Sequence, residues 1–247
     1  MAKDAVAKAW TIKPSSNGKR YSAYPAGDFG TYLASSLSAQ KETEGVADFS
    51  AAVSVGAAGQ TLLSWVGVRT ALFVGPVIGN NSNTHVEQFS QAYGNGFTNY
   101  TLRGYRCYNA AGSSNHSVTG TKSTAVTEEV TVALVALSGG TIVSSSITQQ
   151  VNAGAGHTFT SGSVTLTAPG ILVAVCSGDG NVNATAPTQT WPAEWTVVQS
   201  VAYSSAQAPN GHIPLYVAYR AVAAGSYTVG VTVAIDEGVT LAIYGVQ

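Results

Sequence analysis

The chain has 247 residues, of which 45% are hydrophobic and only 9% are charged, with a formal net charge of −1. Globular domains usually carry ~25% charged residues, so Ser, Thr, Asn, Gln and backbone groups must supply most of the polar surface. This composition supports a sizeable apolar core and excludes a disordered chain. The sequence also lacks the clustered basic stripe that is typical of nucleic-acid-binding proteins.

Residues 1–48 differ from the rest of the chain, because they hold most of the basic residues and several well-spaced aromatic residues. Residues 31–44 are compatible with a short helix of weak apolar periodicity. We expect residues 1–48 to form an extended arm that docks on a neighbour. The aromatic and basic side chains expected to make this contact are Trp10, Lys13, Lys19, Arg20, Tyr21, Tyr24, Phe29 and Tyr32.

The first residues contain no apolar run long enough for a secretory signal peptide. No stretch approaches the ~20 apolar residues of a membrane-spanning helix. We therefore expect synthesis in the cytoplasm and no association with a membrane.

From residue 49 onward, short apolar or alternating runs are separated by loops rich in Gly, Asn and Ser. Enrichment in Val, Thr, Tyr and Ile favours β-strands. Strands are predicted at residues 53–55, 61–68, 71–78, 98–108, 116–121 and 129–137, and again at 164–167, 171–177, 195–203, 213–222, 227–233 and 239–246. Residues 138–163 are polar and are interpreted as a connection that crosses one edge of the fold.

Residues 53–137 reappear in altered form as residues 164–246. Residues 53–59 align with 164–170 without a gap, and Tyr105-Arg106 corresponds to Tyr219-Arg220. A repeat of this length is a half-domain rather than a solenoid unit. The duplication predicts an all-β sandwich of two homologous halves over residues 49–247, which follows the arm of residues 1–48.

The second copy also resembles a known kind of domain. Residues 219–220, 223–229 and 239–244 look like the closing strands of a jelly-roll-like β-sandwich, and residues 169–175 and 194–197 resemble its middle section. Such domains occur in bacterial extracellular proteins and in structural proteins of tailed phages. The resemblance covers roughly residues 50–247. It implies the fold and brings no catalytic signature to these positions.

The cysteines and histidines indicate packing rather than chemistry. Cys107 and Cys176 each lie in an apolar strand pattern, which favours two buried thiols, with a buried disulfide as the alternative. The histidines are scattered and show no spacing typical of metal ligands. They are His85, His116, His157 and His212, and His116 occupies the place that Tyr227 holds in the second copy.

A short acidic segment offers a weak candidate for a cation. Asp179, Asn181 and Asn183 place side-chain oxygens at alternating positions, as a calcium loop does. The segment lacks the glycine and the glutamate that complete such a loop, so we interpret residues 178–180 as a turn after a strand. No metal and no cofactor are expected.

Carboxylates and serines show no catalytic arrangement. Residues 128–129 and 236–237 fall at matching turns of the two copies, which favours a structural role, since acid and base catalysts need different environments. No nucleophile elbow with an organised His and Asp occurs. We expect the protein not to be an enzyme.

Aromatic residues of the second copy suggest a surface for stacking sugar rings. Trp191, Tyr203 and Tyr216 are the candidates for carbohydrate contact. Trp195 begins an apolar strand pattern, so its indole is expected in the core.

These observations favour a structural protein of a tailed-phage virion, such as a head-decoration, fibre or tail-associated component. We expect it to be synthesised in the host cytoplasm, to dock on other virion proteins through the arm and to form a homo-oligomer. The alternative is a carbohydrate-binding or adhesive module that recognises a cell-surface glycan.

Overall fold

The computed structural model describes residues 31–40, 48–69, 78–93, 100–121, 130–153, 156–180, 188–201, 214–234 and 237–247. Over these ranges the chain forms β-strands, turns and loops, and no helix. The prediction of an all-β protein is therefore confirmed for the described residues. The strands group into two units, which follow one another along the chain.

The first unit contains eight strands, which lie before residue 138. They are β1 Tyr32–Gln40, β2 Asp48–Val53, β3 Gln60–Arg69, β4 Ile78–Gly79, β5 Val86–Tyr93, β6 Tyr100–Ala110, β7 His116–Thr121 and β8 Val130–Leu137.

The second unit contains the remaining ten strands. They are β9 Ile142–Ala153, β10 Thr158–Thr160, β11 Val164–Leu166, β12 Gly170–Gly180, β13 Gln189–Thr190, β14 Thr196–Val201, β15 Leu215–Val222, β16 Gly225–Tyr227, β17 Gly230–Val233 and β18 Glu237–Val246.

Each unit has one five-stranded and one three-stranded antiparallel sheet. In the first unit the strand orders are β1-β8-β3-β6-β5 and β2-β7-β4. In the second unit they are β9-β18-β12-β15-β14 and β10-β17-β13, with β11 and β16 forming an additional pair. Strands at matching places along the two units therefore have matching neighbours.

Three apolar cores lie between these four sheets. The first core packs β2 and β7 against the first five-stranded sheet and includes Val53, Val118 and Leu134. The third core is its counterpart in the second unit and includes Val231 and Leu241. The four sheets are thus stacked as layers, with the two three-stranded sheets outside.

The second core lies between the two five-stranded sheets and joins the units. Leu63 and Trp65 of the first unit pack there with Val173 and Tyr244 of the second unit. The Trp65 Nε1–H donates to the Tyr244 hydroxyl at 3.2 Å. At one edge the rings of Tyr32 and Tyr219 stack with centroids 4.4 Å apart. The units therefore form one continuous body.

Period-two alternation directs the side chains of each central strand into two different cores. On β3, Leu62 and Val66 enter the first core, whereas Leu63 and Trp65 enter the second. All eight residues of β8 are buried. A strand that is buried on both faces tolerates no charge on either face. The four-layer stack is therefore the structural reason for the low charged fraction of the chain.

The arrangement of the halves differs from the sequence prediction. We expected one sandwich to which each half contributes an incomplete set of strands. Each unit instead has two sheets and a core of its own, and the units share the second core in addition. The apolar runs did not reveal this arrangement, because the sequence of a strand that is buried on both faces does not indicate which sheets cover it.

Two local predictions were wrong. Residues 32–40, considered for a helix and assigned to the arm, form β1 and pair with β8 from Tyr32↔Leu137 to Gln40↔Val130. Residues 142–153, interpreted as part of a connection, form β9 and pair with β18. Both are edge strands, and hydrogen bonds to a buried neighbour override their weak local preference for strand. Residues 1–30 lie outside the described residues.

Candidate functional sites

The predicted sugar-binding aromatics are only partly brought to the surface. Trp191 is half-buried and packs against the third core, with its ring centroid 6.0 Å from that of Trp195. Trp195 is 6% exposed, which confirms its predicted place in the core. Tyr216 is 8% exposed and offers no ring face to a ligand in this structure. Tyr203 lies outside the described residues.

Trp191 is followed in the chain by a turn that carries one residue of an ion pair. The turn is closed by a hydrogen bond from the Trp195 N–H to the Pro192 carbonyl at 3.0 Å. In the same turn the Glu194 carboxylate contacts the Arg220 guanidinium at 3.4 Å, and this guanidinium lies 5.9 Å from the ring centroid of Tyr227. This end of the second unit thus contains the half-buried rings of Trp191 and Tyr227 and a partly exposed ion pair.

One of the predicted docking residues lies within the described structure. Tyr32 stacks on Tyr219 with an interplanar angle of 6°, and its hydroxyl lies 2.9 Å from the Ser35 Oγ. It therefore helps to join the two units at the edge formed by β1. The other docking candidates lie outside the described residues: Trp10, Lys13, Lys19, Arg20, Tyr21, Tyr24 and Phe29.

The segment proposed for a cation differs from the expectation in its backbone. Asp179 is part of β12 and pairs with Gly238, so residues 178–180 continue the strand instead of turning. Its side chain and the residues Asn181 and Asn183 lie outside the described part. Among the side chains that the structure describes, no three His, Cys, Asp or Glu residues are grouped for a metal ion.

The two cysteines are buried thiols in separate places. Cys107 belongs to the first core and Cys176 to the third, so they do not form a disulfide with each other. Burial raises the pKa of the Cys107 thiol above its ordinary value. This result confirms the prediction that the cysteines act as small apolar residues and rules out the disulfide alternative.

Sequence reasoning missed a polar network that joins two loops of the first unit. The Asn80 amide donates to the Asn115 carbonyl at 2.6 Å and to the Ser113 Oγ at 3.1 Å, and its Oδ1 accepts from the Ser117 N–H at 3.2 Å. Asn83 accepts from the Ala111 N–H at 2.7 Å. The loop after β4 is thus fixed to the loop that precedes β7.

A second missed feature is a buried histidine cluster, formed by Ser64, His85 and His116. Ser64 and His116 are fully buried, and His85 is 5% exposed. The Ser64 Oγ and the His85 Nδ1 are 3.1 Å apart. The His116 Nε2 lies 3.2 Å from the Ala57 carbonyl, which only accepts hydrogen bonds, so this nitrogen carries the proton.

The histidine cluster is poorly suited to positive charge. Burial, and next the charge of the nearby His116, lower the pKa of His85 from 6.5 to about 4. No residue in the described ranges hydrogen-bonds the buried His85 Nε2 or the His116 Nδ1. The His85 imidazole is therefore accommodated as a neutral ring.

The sequence contained one signal for this cluster. Ser64 lies opposite Leu134 in the sheet, as Ala174 lies opposite Ile243 in the second unit. His85 directly precedes β5, as Trp195 directly precedes β14. Ser64 and His85 thus occupy positions at which the second unit has Ala174 and Trp195. Since the second unit forms the same sheets with these residues, the fold does not require Ser or His at either position.

Comparisons with protein-family models, with curated proteins and with solved structures found no match to this chain. Among the described residues there is no helix of the length and hydropathy that crossing a membrane requires.

Proposed function

We propose that the protein is a structural component of a tailed-phage virion, such as a head-decoration, fibre or tail-associated protein. The observation that supports this proposal is the four-layer stack, in which two units share a central core and few charges interrupt the apolar layers. A continuous body of this kind suits a durable part of a particle. In this proposal the protein is made in the host cytoplasm and incorporated into the virion.

The strand order supports a jelly-roll assignment for each unit. In the first unit β1, β8, β3 and β6 are successive neighbours, and β2, β7 and β4 form the opposing sheet. This order is the one produced by interleaved Greek keys, and such jelly rolls occur in viral capsid and lectin domains. Its recurrence in the second unit, together with the sequence repeat, supports an origin by duplication.

The N-terminal segment is the proposed attachment to the particle. The described chain begins at Thr31, whose N–H donates to the exposed Ser138 Oγ at 2.8 Å. Residues 1–30 therefore join the body at an exposed edge beside β8. In this proposal their basic and aromatic side chains contact other virion proteins or further copies of this chain.

The mass in solution tests the assembly proposal. Light scattering on a gel-filtration column would compare the full chain with a chain that lacks residues 1–30. We expect the full chain to form a defined oligomer. The shortened chain should be folded but should form an oligomer with fewer subunits. If both forms are folded monomers at every concentration, self-assembly through this segment is contradicted.

A carbohydrate-binding module is the second candidate, and the half-buried Trp191 beside the Glu194–Arg220 pair favours it. Retention on immobilised glycans would be measured for the wild type, for Trp191→Ala and for Trp191→Phe. We expect Ala to abolish retention and Phe, which keeps an aromatic face, to preserve part of it. Equal retention of all three proteins would contradict this candidate.

A further inference from the structure

The histidine cluster lies between the two sheets of the first unit. His116 begins β7 of the outer three-stranded sheet, whereas Ser64 lies on β3 of the five-stranded sheet. His85 is packed closely against the outer sheet at Gly79, where an added Cβ would approach the imidazole Cδ2 to 2.9 Å. A change in the charge of these rings therefore acts directly on the contact between the two sheets.

We propose that the histidine cluster makes the contact between the two sheets of the first unit sensitive to acid. At mildly acidic pH the outer sheet β2-β7-β4 separates from the five-stranded sheet, while the two sheets of the second unit stay in contact. Protonation of His85 places a proton on both ring nitrogens, and only the Nδ1–H then has an acceptor, the Ser64 Oγ, whereas the buried Nε2–H has none among the described residues. It also adds positive charge beside His116. Opening relieves both, because the rings then become hydrated.

The other ionisable groups on this face do not offset such a charge. Burial raises the pKa of the Cys107 thiol and, with the nearby Glu87 carboxylate as the next cause, that of the Tyr105 hydroxyl, so both stay neutral in acid. The Arg103 guanidinium and the Glu87 carboxylate pair with each other at 3.3 Å, at the partly exposed edge of the sheet.

The second unit lacks this device at the matching places. Ala174 stands in the third core where the first has Ser64, and the buried Trp195 precedes β14 as His85 precedes β5. Neither Ala174 nor Trp195 titrates. We therefore expect the contact between β17 and the second five-stranded sheet to be independent of histidine protonation.

The direction of the pH dependence follows from the pKa of His85, which is about 4 in the closed form and 6.5 in the opened form. The opened form binds a proton more readily, so closure is complete above pH 6.5 and weakens as the pH falls towards 4. Across this interval the closing equilibrium constant decreases by about 80-fold.

Hydrogen exchange measured by mass spectrometry on the full chain tests the proposal. Amides of β7 and β17 would be followed between pH 7 and pH 4.5, with correction for the intrinsic exchange rate. We expect β7 to lose protection in acid and β17 to keep it. Equal loss of protection in both strands would overturn the proposal, since it would indicate a general effect of acid.

Variants separate His85 from the carboxylates that also titrate in acid. His85→Gln should greatly reduce the pH dependence of β7 protection, whereas His157→Gln, at an exposed histidine, should leave it as in the wild type. An unchanged pH dependence in His85→Gln would contradict the proposal. If that variant does not fold, NMR titration of the histidines in the wild type is the alternative measurement. We expect one imidazole with a pKa below 5. Ordinary pKa values for all histidines would overturn the proposal.

Discussion

The Tyr244 hydroxyl takes part in a buried polar contact between the two units. The Tyr244 hydroxyl accepts a hydrogen bond from the indole of Trp65 at 3.2 Å, and both side chains lie in the second core. Burial raises the pKa of Tyr244, so this hydroxyl stays protonated at any ordinary pH. The bond is stabilising mainly because its loss leaves a buried N–H without an acceptor.

We therefore expect Tyr244→Phe to lower the free energy of unfolding by about 1–3 kcal/mol, the usual cost of a buried polar group that loses its partner. Denaturant unfolding at neutral pH is the measurement. Tyr32→Phe is the matched control, because it keeps the stacked ring on Tyr219 and removes a hydroxyl bonded only near the surface. A cost for Tyr32→Phe as large as that for Tyr244→Phe would contradict this interpretation.

At the scale of elements, the loop after β4 shows how asparagine side chains replace regular secondary structure. Asn81 and Ser82 have φ angles of 53° and 60°, in the left-handed region that favours Asn and Gly. The half-buried Asn80 donates from its amide to the Asn115 carbonyl of the facing loop and accepts through its Oδ1 from the Ser117 N–H of β7. These side-chain bonds add to the backbone hydrogen bond from the Asn83 N–H to the Asn80 carbonyl at 3.0 Å, which closes the loop.

Asn80→Ala should lower the free energy of unfolding by about 1–3 kcal/mol, because it leaves partners in the facing loop unsatisfied. Ser82→Gly, in the same loop, should preserve or raise stability, because glycine adopts a positive φ without steric cost. Thermal unfolding of both variants provides the comparison. A stable Asn80→Ala variant would show that water replaces the amide and that the loop contact is not a determinant of stability.

The sequence predicted the strands that consist of a continuous apolar run. Runs such as residues 130–137 and 171–177 are apolar enough to be strands in any context, and β8 and β12 lie where expected. The edge strands β1 and β9 lack a continuous apolar run, and each pairs with a strand that is distant in sequence. Local patterns do not contain that information.

The candidate sites were less predictable than the strands. Trp195 was assigned to the core from its apolar neighbours, and the structure agrees. Ser64, His85 and His116 come from separate parts of the chain, and only the packing of two sheets brings them together. Tyr216 was expected at the surface, but it lies on a central strand of a covered sheet, which buries its ring.

At the scale of the whole molecule, the position of β1 decides how much of the N-terminus can be removed. Deletion of residues 1–30 keeps β1, whereas deletion of residues 1–48 removes it and exposes the edge of β8 and the ring of Tyr219. We expect the first shortened chain to be soluble and the second to aggregate or to be strongly destabilised. Gel filtration and circular dichroism would distinguish them. A well-folded, monodisperse chain lacking residues 1–48 would contradict a structural role for β1.

Native-state hydrogen exchange at pH 7 tests most directly whether the two units form one body through the second core, because amides that open only in global unfolding share one free energy of opening. We predict the same high protection for the central strands β3, β8, β12 and β18. Protection that is uniformly high in one unit and lower by orders of magnitude in the other would show two independent domains and contradict the account.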